Sequence, residues 1–137
     1  MLFGSARRKF LKSLDKAALD AAVREASRGT TGEIRVVVLP RFRGTLAKMG
    51  ERLARHLKMT SLKERNGVLI LVDPAHRAFF VWGDAGVHER LGAGFFKATS
   101  ESISELFRAG DFTGGLRHGV ETVGRALAEH FPPRPVV

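Results

Sequence analysis

Three oxygen-bearing side chains stand beside apolar runs of the sequence. Glu33 opens the run EIRVVVL, Asn66 and a glycine precede VLILV, and Asp84 follows AFFVW and a glycine. Two carboxylates and an amide are hard oxygen ligands of the kind that calcium and magnesium accept. Each residue also has a structural alternative: an ion pair for Glu33, a turn for Asn66, and a cap or turn for Asp84. The pattern predicts a Ca²⁺ or Mg²⁺ site at Glu33, Asn66 and Asp84, without the dense acidic spacing of a dedicated calcium loop.

The segment GDAGVH, residues 83–88, joins two glycines to a histidine. Glycine permits close approach of a ligand to the backbone, and His88 can exchange a proton near neutral pH. The segment lacks the lysine and the Ser/Thr of a phosphate-binding loop. A corner between a strand and a helix is therefore the simpler interpretation.

Phosphoryl hydrolysis needs a nucleophile or a metal-activated water, together with positive charge for the leaving oxygens. Glu33 and Asp84 with a cation would supply the water, and Arg65 or Arg90 the charge. Neither a D-x-D-x-[TV] pattern nor a C-x5-R pattern is present. A metal-assisted phosphatase acting on phosphomonoesters is thus the enzyme alternative, with no catalytic residue assigned.

The chain is also strongly basic. Its 23 basic residues outnumber 14 acidic ones and give a net charge of +9. The densest local groups are Arg7, Arg8, Lys9 and Lys12, and then a stripe of two loop arginines followed by a helix face, namely Arg41, Arg43, Lys48, Arg52 and Arg55. Such a stripe can bind nucleic acid or an anionic membrane surface, but it is also typical of a solvated helix. No aromatic stacking platform or helix-turn-helix pattern accompanies it.

Other candidates have ordinary explanations. Asp111 stands just ahead of a helical pattern, where an aspartate is an N-terminal cap. No i,i+4 histidine pair supports a zinc site, and the histidines concerned are His56, His76, His118 and His130. The chain has no cysteine, so disulfides, thiolate metal ligands and cysteine nucleophiles are excluded.

The elements that must position these side chains follow from apolar spacing. Helical patterns occupy about residues 14–28, the segment after Thr45, the segment after the glycine-rich corner, and the segment from near Thr113. Strands are expected over 33–39, 68–72 and 78–82. The order is α-β-α-β-β-α-α, which predicts an α/β fold with a small mixed sheet packed with helices.

Connection rules turn this order into a spatial prediction. A helix joins the first two strands, so these should be parallel, and a hairpin at Asp73 makes the third antiparallel to the second. The starts of the first two strands and the end of the third then meet at one end of the sheet. Glu33, Asn66 and Asp84 should gather there.

The length of 137 residues and the apolar content of 44% suit one domain. We divide the chain into a basic N-terminal segment (1–13), the α/β domain (14–131) and a C-terminal tail (132–137). No apolar run approaches the roughly 20 residues that span a bilayer, and the first residues lack a signal-peptide core. A cytoplasmic location is expected.

Four segments, in this order, resemble the TPM domain, a family named after a thylakoid-lumen protein, a photosystem II repair protein and a worm receptor modulator. They are TGEIRVVV at 31–38, NGVLILV at 66–72, GDAG at 83–86 and FRAGDFTGGL at 107–116. The similarity extends to about Phe131. It is greatest to a short bacterial form without a signal peptide or membrane helix.

The resemblance implies an α/β sandwich, divalent-cation binding in some members, and the phosphatase activity that gave the domain its label. Combined with the residues above, it predicts a divalent-cation-binding accessory or interaction module. We expect a protein partner. The sequence defines neither the identity of that partner nor the oligomeric state.

Overall fold

A computed structural model describes residues 2–135, so the last two residues of the predicted tail lie outside the described part. The helices are α1 (Leu2–Ser13), α2 (Lys16–Arg28), α3 (Leu46–His56), α4 (Ala85–Arg108) and α5 (Phe112–His130), with a short 3₁₀ helix at Met59–Ser61. The strands are β1 (Glu33–Val38), β2 (Gly67–Asp73) and β3 (Ala78–Gly83). The predicted mixed α/β fold is confirmed.

The sheet has the order β1-β2-β3. β1 and β2 are parallel, with Glu33 opposite Gly67, and β2 and β3 are antiparallel, with Val68 opposite Gly83. Both relations match those expected from the connections. Because β2 is central, β1 and β3 each have one side edge without a strand neighbour in the described part of the chain.

The two faces of the sheet carry separate apolar cores. Alternate residues of β2 divide between them: Val68, Ile70 and Val72 face α2, α4 and α5, whereas Leu69 and Leu71 face α3. All seven residues of β2 are buried. A central strand covered by helices on both sides explains the unbroken apolar run of its sequence.

Helix α1 is an element that the predicted order does not contain. The ring of Phe10 lies 5.1 Å from that of Phe112 and 6.4 Å from that of Phe107. Asp15 separates α1 from α2, because its side chain accepts a hydrogen bond from Ala18 N and caps α2. The contacts of α1 are almost 100 positions away in sequence, so local spacing does not reveal them.

Helix α4 begins earlier than expected, inside the glycine-rich corner. Asp84 caps it, and Gly92, with φ 77° and ψ 168°, interrupts it after two turns. A Cβ at Gly86 would collide with the carbonyl oxygen of Glu64 and lie 2.8 Å from that of Arg65. Glycine is thus required at residue 86 for the first turn of α4 to approach the loop before β2.

No helix in the described residues combines the length and apolarity needed to cross a membrane.

Candidate metal site at the Glu33 end of the sheet

The structure brings the three predicted ligands to one end of the sheet. Glu33 is the first residue of β1, Asn66 directly precedes β2, and Asp84 directly follows β3. Glu33 begins one outer strand and Asp84 follows the other, so their backbones are roughly 10 Å apart at the usual strand spacing. A cation held by both carboxylates would therefore have to lie over the central strand, beside Asn66.

Asp84 is almost fully buried, with 5% of its surface exposed. Its two oxygens accept hydrogen bonds from Arg65 Nε at 2.7 Å and Arg65 Nη2 at 2.8 Å, and Oδ1 also accepts one from Ala85 N at 2.8 Å. These hydrogen bonds and the negative charge of Asp84 raise the pKa of the Arg65 guanidinium above its usual value. A bidentate pair of this kind combines charge attraction with fixed geometry.

The backbone of Arg65 has φ 51°, in the left-handed region. Its carbonyl oxygen accepts a hydrogen bond from Gly86 N at 2.9 Å. Asp84 and Gly86 thus hold both the side chain and the backbone of Arg65 against the start of α4.

Asn66 is 1% exposed and forms the centre of a second network. Its Nδ2 donates to Thr31 Oγ1 at 3.0 Å, and that hydroxyl donates to Glu64 Oε1 at 3.1 Å. No buried side-chain nitrogen or oxygen among the described residues lacks a hydrogen-bond partner.

Glu33 pairs within its own strand. Its Oε1 accepts a hydrogen bond from Arg35 Nε at 2.5 Å, across one intervening residue on the same strand face. The side chain of Glu33 is 31% exposed and that of Arg35 is 47% exposed. Each predicted carboxylate ligand thus already has a guanidinium partner, which a cation must displace or share.

Among the described residues, no group of three or more histidine, aspartate or glutamate side chains is arranged to hold a metal ion. The candidate ligand set depends on the amide of Asn66 for its third oxygen. Hard cations accept amide oxygens, but fewer charged ligands give weaker sites.

The residues considered for phosphoryl transfer do not form one constellation. Arg65 is paired with Asp84, whereas Arg90 lies 5.4 Å from the ring centre of Phe131. His88 is exposed and stacks on Phe96, with 4.2 Å between the ring centres. His88, on the first part of α4, therefore serves as a stacking contact for Phe96.

Asp111 accepts a hydrogen bond from Gly114 N at 2.8 Å, as expected for the cap of α5. In the basic stripe, Arg55 pairs with Glu51 at 3.3 Å within α3. Glu51 thus interrupts the positive face that Lys48 and Arg52 contribute.

The sequence analysis did not single out Thr31 and Glu64, although Thr31 lies within the quoted TGEIRVVV segment. Their contacts span more than 30 positions, so only the folded chain joins them to Asn66. It considered His76 only for a zinc site and did not predict its contact with Asp73, in which His76 Nδ1 lies 2.7 Å from Asp73 Oδ2 at the opposite end of the sheet.

The fold and the networks around Asn66 and Asp84 define a three-stranded α/β domain with two helical layers. The model of the TPM domain matches residues 6–126, and the chain therefore belongs to the TPM domain family. A search of the curated proteins finds no match.

Several solved structures are also similar to this chain. The BA42 protein from the psychrophilic bacterium Bizionia argentinensis is 36% identical, with a TM-score of 0.78 over 86% of this chain and 81% of that one. The N-terminal domain of a P. gingivalis protein is 24% identical, with a TM-score of 0.72 over 86% and 78%. The N-terminal domain of the cg2496 protein from Corynebacterium glutamicum is 16% identical, with a TM-score of 0.63 over 81% and 70%. The latter two support the fold alone.

Proposed function

We propose that this TPM domain is an accessory or interaction module that binds a divalent cation, Ca²⁺ or Mg²⁺, weakly at the Glu33 end of the sheet. The observation that supports the proposal is the convergence of Glu33, the buried Asn66 and the buried Asp84 at one end of the sheet, with Asn66 at the start of the central strand. Asn66 Oδ1, Asp84 and Glu33 would supply the protein oxygens.

Arg65 sets the expected affinity. Its guanidinium occupies both oxygens of Asp84, so a cation has to compete with an existing bidentate pair. The cation also faces a chain of net charge +9. Both effects favour millimolar rather than micromolar binding, in the range of weak calcium modules.

The test is thermal unfolding with CaCl₂ or MgCl₂ against NaCl of equal ionic strength. For a dissociation constant of about 1 mM, about 10 mM Ca²⁺ stabilises the folded chain by about 1.4 kcal/mol. Arg65→Gln should increase the cation-dependent rise in Tm, because it frees Asp84. Glu33→Gln combined with Asp84→Asn should abolish it.

Asp111→Asn is the matched control, because Asp111 also caps a helix but stands at the start of α5. It should change Tm little, because asparagine also caps helices, and it should leave the cation-dependent rise unchanged. Equal Tm values in CaCl₂, MgCl₂ and NaCl for both the wild type and Arg65→Gln would refute the proposal.

The enzyme alternative is tested in the same series by hydrolysis of a generic phosphomonoester. Metal-dependent turnover that disappears in the Glu33→Gln, Asp84→Asn variant would favour a phosphatase. The third alternative, nucleic-acid or anionic-membrane binding by the basic stripe, requires salt-sensitive retention that falls in Arg52→Ala, Arg55→Ala. A cytoplasmic location belongs to the same proposal and is tested by fractionation of the native cells.

A further inference from the structure

The free side edge of β3 presents an unused row of backbone groups. Asp84 N donates to Gly67 O at 3.0 Å, and the antiparallel register repeats this orientation at every second residue. Trp82, Phe80 and Ala78 therefore direct their N–H and C=O groups towards β2. Phe79, Val81 and Gly83 direct theirs away from the sheet, where no other strand lies within the described residues.

A groove of about 590 Å³ runs along this edge. All six residues of β3 line it on one side, and α4 closes the other side with Phe96, Lys97, Ser100 and Ser104. Rings and aliphatic groups provide apolar contacts, while the two serine hydroxyls can donate or accept hydrogen bonds. The groove thus matches the length of the strand that it follows.

The charges around the groove are all of one sign. Arg77 stands at the start of β3 and Lys97 on α4, and no aspartate or glutamate is among the described residues that line the groove. An acidic occupant is therefore attracted at this edge.

The other free edge differs in this respect. The groove beside β1 is lined by Asp20 and Glu33 as well as by Lys16, Arg24 and Arg35. At its far end, Arg7 of α1 already donates to the carbonyl oxygen of Val38, over 3.4 Å. Mixed charge and this contact make β1 the less suitable edge for an acidic segment.

We propose that the free edge of β3 binds an extended segment of a partner protein in which acidic and apolar residues alternate, by strand addition. Backbone hydrogen bonds to Phe79, Val81 and Gly83 would hold the segment, and its carboxylates would pair with Arg77 and Lys97. A second copy of the chain is disfavoured, because both copies carry a net charge of +9.

This inference rests on the interaction-module part of the proposed function and not on the cation site. The cation-site proposal and the strand-addition proposal can be refuted separately. The cation is detected at Asn66 and Asp84, whereas the peptide segment is detected along β3.

The test is an amide NMR titration with a blocked hexapeptide of alternating glutamate and valine. The largest shifts, together with slower amide hydrogen exchange, are expected at Phe79, Val81 and Gly83. The same peptide with N-methyl groups on the amides that face β3 should not bind. Equal binding of the methylated peptide would refute strand addition.

Charge exchange tests the acidic preference. Lys97→Glu should weaken binding of the glutamate–valine peptide by about five-fold or more at low salt, and should permit binding of a lysine–valine peptide. Arg125→Glu is the control, because Arg125 is an exposed residue of α5 that does not line the groove and the net charge change is identical. It should weaken binding less than two-fold, roughly the scale of a distant screened charge.

Three results would overturn the proposal. The first is a set of shifts centred on Ile34, Val36 and Val38, which would assign binding to the edge of β1. The second is equal affinity of the wild type for the acidic and basic peptides. The third is a concentration-dependent shift at β3 without peptide, which would assign the edge to a second copy.

Discussion

Substitution of Gly86 by alanine tests the close approach that organises the Glu33 end of the sheet. The added methyl group would collide with Glu64 O and lie 2.8 Å from Arg65 O, so either α4 or the loop has to move. Overpacking of this kind costs about 1–3 kcal/mol. Movement also breaks the hydrogen bond from Gly86 N to Arg65 O, which is worth about 1 kcal/mol.

The expected destabilisation by Gly86→Ala is therefore about 2–4 kcal/mol. A chain of 137 residues unfolds with an entropy of about 0.29 kcal/mol/K, so Tm should fall by roughly 7–14 °C. Differential scanning calorimetry measures both quantities if unfolding is two-state.

Gly94→Ala is the control in the same helix, because no heavy atom lies within 4 Å of the position of its Cβ. Gly94→Ala should leave Tm unchanged or raise the free energy of unfolding by up to about 1 kcal/mol, since alanine favours a helix over glycine. If Gly86→Ala were as stable as Gly94→Ala, the loop would not depend on this approach. The account of how Arg65 is held would then be wrong.

Two further variants test the core and the closure of the domain. Leu116→Ala removes a fully buried side chain of α5 and should lower the free energy of unfolding by about 2–5 kcal/mol in urea titrations. An effect below about 1 kcal/mol would mean that the site collapses without a cavity. Thr30→Val removes the hydroxyl that donates to Phe131 O at 2.6 Å and accepts from Gly32 N at 3.0 Å. The free energy of unfolding should fall by about 1–3 kcal/mol in the same titration. Thr30→Ser keeps the hydroxyl and should retain most of this stability.

Much of the fold could be predicted from short-range patterns. VLILV has no polar interruption, which is the pattern of a strand covered on both faces, and β2 is central and buried. The helix between β1 and β2 requires their parallel pairing, and this pairing brings Glu33 level with Gly67. The hairpin at Asp73 makes β3 antiparallel to β2, so the location of all three candidate ligands at one end of the sheet follows from these features.

The side-chain partners could not be predicted in the same way. Asp84 pairs with Arg65 because a left-handed residue turns the loop beneath α4, and nothing in the local sequence specifies that conformation for an arginine. Helix α1 was not predicted because Phe10 is held by rings of α4 and α5. Both the Asp84–Arg65 pair and helix α1 therefore depend on contacts between residues that are distant in the sequence.

The carbonyl oxygen of Phe131 accepts hydrogen bonds from both Thr30 Oγ1 and Thr31 N, and the former spans 101 positions. The residue that follows the last helix thus completes the entry to the first strand. During synthesis, this end of the sheet cannot close until Phe131 has left the ribosome, although β1 was made long before. The domain is therefore expected to finish folding only after Phe131 has emerged, with Ile34 and its neighbours exposed to chaperones until then.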